Sequence, residues 1–271
     1  MSELLGEGPI AKMRVTLGDP VDYVLPIGGA SLAMNALLGE PISIEFLGAI
    51  ECVHCGRRTR RSFNQGYCYP CFKSLAQCDL CVVRPELCHF AQGTCREPDW
   101  GRTHCLRAHS VYLANASGLK VGITRGTDPT TRWIDQGATQ GLVIRSVEDR
   151  LRAGQLEVAL KQFAADRTDW RRMLRGQAER LDLVAERDRL WSLLNDAHPD
   201  AARSGASPLP PFELAIHYPV YRYPSKPVSH NLDRTPVLSG RLDGIKGQYL
   251  ILGETVINLR RFAGYRLRVT R

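Results

Sequence analysis

Hydrophobic and polar positions alternate at both ends of the chain and recur at helical spacing only in its middle. Over residues 12–50, Val15, Tyr23, Leu25 and the series Ile42, Ile44, Phe46 follow the two-residue period of half-buried strands, with glycine-rich turns between them. The same period returns over residues 212–271, where Leu214–Tyr218, Gln248–Leu252, Thr255–Leu259 and Tyr265–Val269 read as strands. Between these ends, Val147 to Ala165 places Leu156, Leu160 and Phe163 on one helical face. Thr168 is the N-cap candidate of a second helix running to about Asn195, striped by Leu174, Leu181, Val184, Trp191 and Leu194. That stripe reads as core packing. His198 to Pro211 (HPDAARSGASPLPP) has the composition of a linker.

One internal echo stands out. The run from Tyr23 and the run from Tyr249 each give a Tyr-led strand, a Gly turn, an Asn, a second Gly and an alternating strand. The terminal segments are therefore either related modules or two parts of one small barrel. The patterns predict an α+β chain in five parts: an N-terminal β segment over 1–50, a cysteine-rich module over 51–108, a ββαβα domain with a helical extension over 109–197, a linker over 198–211, and a C-terminal β segment over 212–271.

Charge adds a partner class. The formal net charge is +8, which favours polyanions through counterion release but does not by itself select one. The first ten residues lack the basic start and apolar core of a signal peptide, and no stretch approaches the roughly 18 apolar residues of a membrane helix. A cytoplasmic protein with no membrane partner is expected. In that compartment paired cysteines are more often metal ligands than disulfides.

All nine cysteines fall between Cys52 and Cys105. The first four follow Cys52-x2-Cys55-x12-Cys68-x2-Cys71. Each x2 turn sets two sulfurs on one side of a tight loop, and two such loops supply the tetrahedral corners Zn²⁺ prefers. One structural Zn²⁺ is expected here. A second is expected on Cys78, Cys81, Cys88 and Cys95, with His89, His104, Cys105 and His109 as competing ligands. Closed four-thiolate sites leave no open coordination position, so neither ion is expected to be catalytic. Arg57, Arg58, Arg60 and Arg61 between the first knuckles are candidate phosphate contacts. Phe63, Tyr67, Tyr69 and Phe72 either stack bases or cover the zinc site.

Residues 110–165 carry the most specific chemistry. Ser110–Ala114 and Leu119–Ile123 read as a hairpin, Asp128 and Pro129 as the start of a short helix carrying Arg132, Gly141–Ser146 as a third strand, and the following helix carries Glu157. With Val111-Tyr112-Leu113 and Lys120-Val121-Gly122-Ile123-Thr124 standing for the two halves of its motif, this ββαβα order resembles the GIY-YIG nuclease domain. The resemblance implies phosphodiester cleavage. Glu157 would hold a Mg²⁺, Arg132 would neutralise charge developing on the phosphate, and Tyr112 would orient or deprotonate water or bind the phosphate. Lys120 stands where most members have a second tyrosine, although a phage-related branch has lysine there. No His follows Arg132 at the usual short distance; Trp133, Asp135 and Gln136 lie there instead. Bland alternatives exist for each residue: a helical ion pair of Glu157 with Lys161, a core role for Tyr112, a surface role for Arg132, a solvated Lys120.

Across nearly its whole length the chain also resembles an uncharacterised bacterial family, on SFNQGYCYPCF from Ser62, VRPELCHF from Val83, TRWIDQGA from Thr131 and GIKGQYLIL from Gly244. That resemblance implies architecture, not activity. Three functions follow as expectations: a metal-dependent nuclease on DNA or RNA, a nucleic-acid-binding protein that recognises phosphate without cutting, or a zinc-dependent scaffold for protein partners.

Overall fold

The computed structural model describes residues 3–164, 168–203, 207–208 and 213–271. In chain order the strands and helices are β1 (Leu4–Pro9), β2 (Arg14–Thr16), β3 (Asp22–Ile27), β4 (Ala30–Ala33), β5 (Pro41–Glu51) and β6 (Arg58–Thr59), then α1 (Tyr69–Ser74), α2 (Leu80–Val83) and α3 (Pro98–His104). They continue with β7 (His109–Asn115), β8 (Leu119–Arg125), α4 (Thr130–Asp135), β9 (Gln140–Val147), α5 (Arg150–Leu160), α6 (Trp170–Leu174), α7 (Leu183–Ala197) and α8 (Pro199–Arg203). The chain closes with β10 (Ser207–Pro208), β11 (Glu213–Ala215), β12 (Val228–Ser229), β13 (Val237–Arg241), β14 (Gly244–Lys246), β15 (Tyr249–Leu252), β16 (Thr255–Asn258) and β17 (Tyr265–Thr270). The protein is mixed α+β. It forms two compact units: Met1–Lys73 with Leu174–Gly176 and His217–Arg271, and Ser74–Met173 with Gln177–Ile216. The cysteine-rich stretch is divided between them.

In the first unit the echoed runs fold alike. β3 and β4 form a hairpin over Gly28 and Gly29, a 3-10 turn covers Met34–Leu37, and Gly39 at φ +85° leads towards β5. β15 and β16 form a hairpin over Gly253, a 3-10 turn covers Leu259–Phe262, and Gly264 at φ +84° leads into β17. A left-handed backbone at that exit is why each run carries its second glycine. β2 flanks β3 as β14 flanks β15. The two runs join where β5 and β17 pair antiparallel, with Phe46 opposite Leu267 and Ile44 opposite Val269, in a sheet ordered β1-β17-β5-β13. Met13, Leu25, Ile27, Ile44, Phe262 and Leu267 are buried in this unit, each contributing about 1.5–3 kcal/mol of hydrophobic stabilisation. Between the runs, the Met13 amide donates to Gln248 Oε1 at 3.0 Å and Gln248 Nε2 donates to the Met13 carbonyl at 3.1 Å, so neither buried group is orphaned.

The second unit is built on the sheet β10-β9-β7-β8, with β11 also pairing β9. Its element order β7-β8-α4-β9-α5 is the ββαβα order of the sequence. Val111, Leu113 and Val121 point to one face and pack with Leu142, Ile144, Leu156, Leu160, Leu190 and Leu194. Tyr112, opposite Gly122, and Ala114, opposite Lys120, share the other face. Asp149 caps α5 by accepting from the Arg152 amide at 2.8 Å. That helix begins later than the sequence pattern suggests because Val147 completes β9, and it ends earlier, at Leu160 with Lys161 as C-cap; the expected last residue, Ala165, lies outside the described residues. The single helix expected from Thr168 to Asn195 is two helices. Gly176 takes φ +69° between them, and Asp182 caps the second through the amides of Val184 and Ala185. Within the expected linker, α8 and β10 are formed; residues 204–206 and 209–211 of it lie outside the described residues. Among the described residues no helix is long and apolar enough to cross a membrane.

Candidate functional site

Two knuckles in the first unit bring four thiols to one point. Cys52 sits at the end of β5, where its amide donates to the Arg57 carbonyl and its carbonyl accepts from the Gly56 amide, both at 2.9 Å. Gly56 closes that loop at φ +70°. Cys68 precedes α1 and Cys71 lies within it. The sulfurs of Cys52, Cys55, Cys68 and Cys71 lie within 4.8 Å of one another, and those of Cys55 and Cys68 are 3.8 Å apart. Four Zn–S bonds of about 2.3 Å in a tetrahedron set sulfurs about 3.8 Å apart. The cluster can hold a zinc ion.

The electrostatics agree. Burial alone would raise the Cys52 thiol, but the backbone of Cys55, Cys68 and His54 hydrogen-bonds the thiolate and brings it down to about 6. Burial and the neighbouring thiols push Cys71 in the opposite direction. Four such thiols resist becoming thiolates together, and a central dication removes that conflict.

Around this cluster, Arg57, Arg58, Arg60 and Arg61 are all exposed, with Arg58 held on β6 opposite Glu51. No Asp or Glu occurs between Glu51 and Asp79, so the loop presents positive charge alone. Phe63 packs against Tyr69 at 5.4 Å and stacks on Phe72 at 5.7 Å. These rings are occupied with one another.

The remaining thiols lie in the second unit. Cys81, Cys88, Cys95 and Cys105 line one small cavity, with Asp79, His89, Phe90 and Trp100. Cys78, placed in the sequence-derived ligand set, is buried but is not part of that lining, and neither are His104 and His109. His104 stacks on Trp100 at 4.3 Å. His109 Nδ1 donates to the Arg107 carbonyl, 2.7 Å away. Burial raises Cys81 to about 11 and also raises Cys105.

On the polar face of the second unit's sheet, Gln136 Nε2 donates to the Tyr112 hydroxyl at 2.8 Å. The charges of Arg132 and Glu157 both act on the same hydroxyl, Arg132 favouring its ionised form and Glu157 opposing it. Tyr112 is held there by glycine: a Cβ on Gly122 would sit 2.6 Å from its hydroxyl oxygen. Trp133 meets the Tyr112 ring edge-on at 5.9 Å. Burial pushes the Tyr112 phenol up, which disfavours it as a proton acceptor at neutral pH. Glu157 lies 3.5 Å from Lys161, its i+4 neighbour, with 13% of its side chain exposed. Lys120 is buried on β8. Of the sequence-derived set Tyr112, Lys120, Arg132 and Glu157, the structure brings Tyr112, Arg132 and Glu157 together, and Lys120 lies on the same sheet face as Tyr112.

Two neighbours were not singled out from sequence. Gln136 takes its place because α4 ends at Asp135 and turns it back towards Tyr112. Arg150 is half-buried, and burial lowers its pKa; Cys105, Cys81 and Glu157 favour its charge, and Arg132 opposes it. A cation at the first position of α5 works against the helix dipole, and that local mismatch was the available signal.

The family described as a protein of unknown function (DUF2797) matches residues 39–267, and the chain belongs to it. No curated protein and no solved structure matches the chain.

Proposed function

We propose that this member of the DUF2797 family is a zinc-stabilised nucleic-acid-processing protein that cleaves phosphodiesters with its ββαβα body. The reading rests on one observation: Arg132 and Gln136 both converge on the Tyr112 hydroxyl, with Glu157 alongside. Arg132 supplies a fixed positive charge where charge develops on a phosphate. Tyr112, neutral and buried, positions Arg132 and Gln136 and does not take a proton. Lys120 and Arg150 add positive potential. Glu157 is the carboxylate that would hold a Mg²⁺, an ion that uses one or two carboxylates together with substrate phosphates; when bound it would polarise a phosphoryl oxygen. The exposed Arg57, Arg58, Arg60 and Arg61 serve as backbone contacts to DNA or RNA.

A second reading draws on the Glu157–Lys161 pair, which occupies the carboxylate in the ordinary helical way. On that reading the site recognises phosphate without cutting. Cleavage and binding assays on labelled DNA and RNA, with Mg²⁺ or EDTA, separate the two. The nuclease reading expects Mg²⁺-dependent products that vanish in Glu157→Ala and Arg132→Ala, with binding kept in Glu157→Ala. Binding without products in any metal would overturn it in favour of recognition. Neither binding nor products would overturn both and direct attention to protein partners of the zinc loop.

A further inference from the structure

The thiols of the second unit do not converge as those of the first do. Cys81, Cys88, Cys95 and Cys105 line a cavity of about 20 Å³, counted as the space open to the centre of a water molecule. A water needs roughly 10–15 Å³ on that measure. A zinc ion bonded to four sulfurs at about 2.3 Å leaves no such space. Among the described residues, Asp79, Cys81 and His89 bring ligand atoms within 4.8 Å of one another, and the other three thiols do not join that group. The sulfurs are spread around a wall.

The two non-thiol candidates face each other and have further protein partners. Asp79 Oδ2 accepts from Arg96 Nε at 2.7 Å and lies 3.5 Å from His89 Nε2. His89 Nδ1 is 2.8 Å from the Thr94 hydroxyl. Asp79 is thus charge-paired with Arg96 and His89 is oriented by Thr94, while four thiols line the space beside them. Four thiolates around a volume too large for one ion are the donor set of an iron–sulfur cubane. The rest of the wall suits it. Phe90 and Trp100 make part of it apolar, and Gly101 lets the wall close, since a Cβ there would lie 3.3 Å from Cys95 Sγ. The half-buried Arg150 is fixed beside the site by its backbone amide donating to the Cys105 carbonyl at 2.9 Å and by Nη2 donating to the Val82 carbonyl at 2.6 Å. A four-thiolate cluster is anionic, and Arg150 supplies the opposite charge.

We propose that Cys81, Cys88, Cys95 and Cys105 hold a [4Fe–4S] cluster in the second unit, in place of the second zinc read from the sequence on Cys78, Cys81, Cys88 and Cys95. The proposal is independent of the cleavage reading. Its test uses the full chain purified without oxygen, or reconstituted with ferrous iron and sulfide, followed by iron, sulfide and zinc analysis and by electron paramagnetic resonance after dithionite reduction. About four iron and about four sulfide per chain are expected, beside one zinc, with the signal of a reduced cubane. Cys88→Ser, Cys95→Ser and Cys105→Ser should each lose most of the iron and keep the zinc. Cys78→Ser, in the same segment, should keep both, and this separates loss of a ligand from failure to fold. Wild-type protein with two zincs and no sulfide-bound iron, or iron lost in Cys78→Ser and kept in Cys105→Ser, would overturn the proposal.

Discussion

The two cysteine clusters of this chain differ in how their donors are delivered. In the first, two x2 knuckles are local devices: Gly56 and the backbone hydrogen bonds around Cys52 shape one pair, and the turn opening α1, where the Phe72 amide donates to the Cys68 carbonyl, shapes the other. In the second, the four thiols come from α2, the loops on either side of Phe90–Gln92 and the end of α3, and only packing brings them to one cavity. Local delivery gives convergence on a point. Tertiary delivery gives a wall around a space.

The largest expected effect tests the local device. Cys68→Ser removes one corner of the first site, and structural zinc supplies on the order of 10 kcal/mol of folding free energy. Loss of zinc should open the Arg57–Arg61 loop to trypsin while the second unit's far-ultraviolet signal persists. Retention of stoichiometric zinc with an uncut loop would break the assignment.

The next effect sharpens the tertiary half. Gly154 on α5 packs on the segment before Cys88, where an added Cβ would lie 2.5 Å from Pro85 Cβ and 2.7 Å from the Glu86 amide nitrogen. Gly154→Ala should cost about 1–3 kcal/mol through overpacking and reduce occupancy of the second site alone, as read by metal analysis and denaturant midpoint. Equal loss at both sites would erase the contrast.

Smaller effects lie on opposite sides of neutrality. Burial holds His109, in the second unit, below its ordinary 6.5, and its Nε2 is buried without a hydrogen-bond partner among the described residues. As pH falls below 6.5 the unfolded chain takes up a proton that the folded unit resists, so stability should fall there. His109→Gln should flatten that limb in pH-dependent denaturation; an unchanged slope would contradict it. In the first unit, burial lowers Lys246 from 10.5 to about 8, between the rings of Tyr218 and Tyr223, each 5.3 Å away. From pH 8 towards 10.5 the unfolded chain keeps the proton and the folded unit does not, so stability should rise with pH. Lys246→Met should remove the rise, and a rise that persists would assign it to another group.

The same division explains what could be read from sequence. Cys52, Cys55, Cys68 and Cys71 were legible because spacing alone specifies a knuckle. The paired runs from Tyr23 and Tyr249 were legible because each repeats strand, turn, Asn and exit glycine locally. Cys105 was less legible: nine residues, most of them helix α3, separate it from Cys95, and the nearby Cys78-x2-Cys81 spacing suggested a knuckle that the fold does not use around the cavity. Arg150 was hidden for the related reason that its partners, the Val82 carbonyl and the thiols of Cys81 and Cys105, are distant in sequence. Tyr112, Arg132 and Glu157 could be nominated because strand and helix periods place them; that Tyr112 would be buried under Gln136 depended on how α4 ends.

The measurement that tests the contrast most directly is X-ray absorption at the zinc and iron edges of the anaerobically purified full chain. The account predicts a zinc edge with four sulfurs at about 2.3 Å and no metal neighbour, and an iron edge with a sulfur shell and a short iron–iron distance that disappears in Cys105→Ser. Two populations of isolated zinc, with no iron–iron scattering in reconstituted protein, would contradict it.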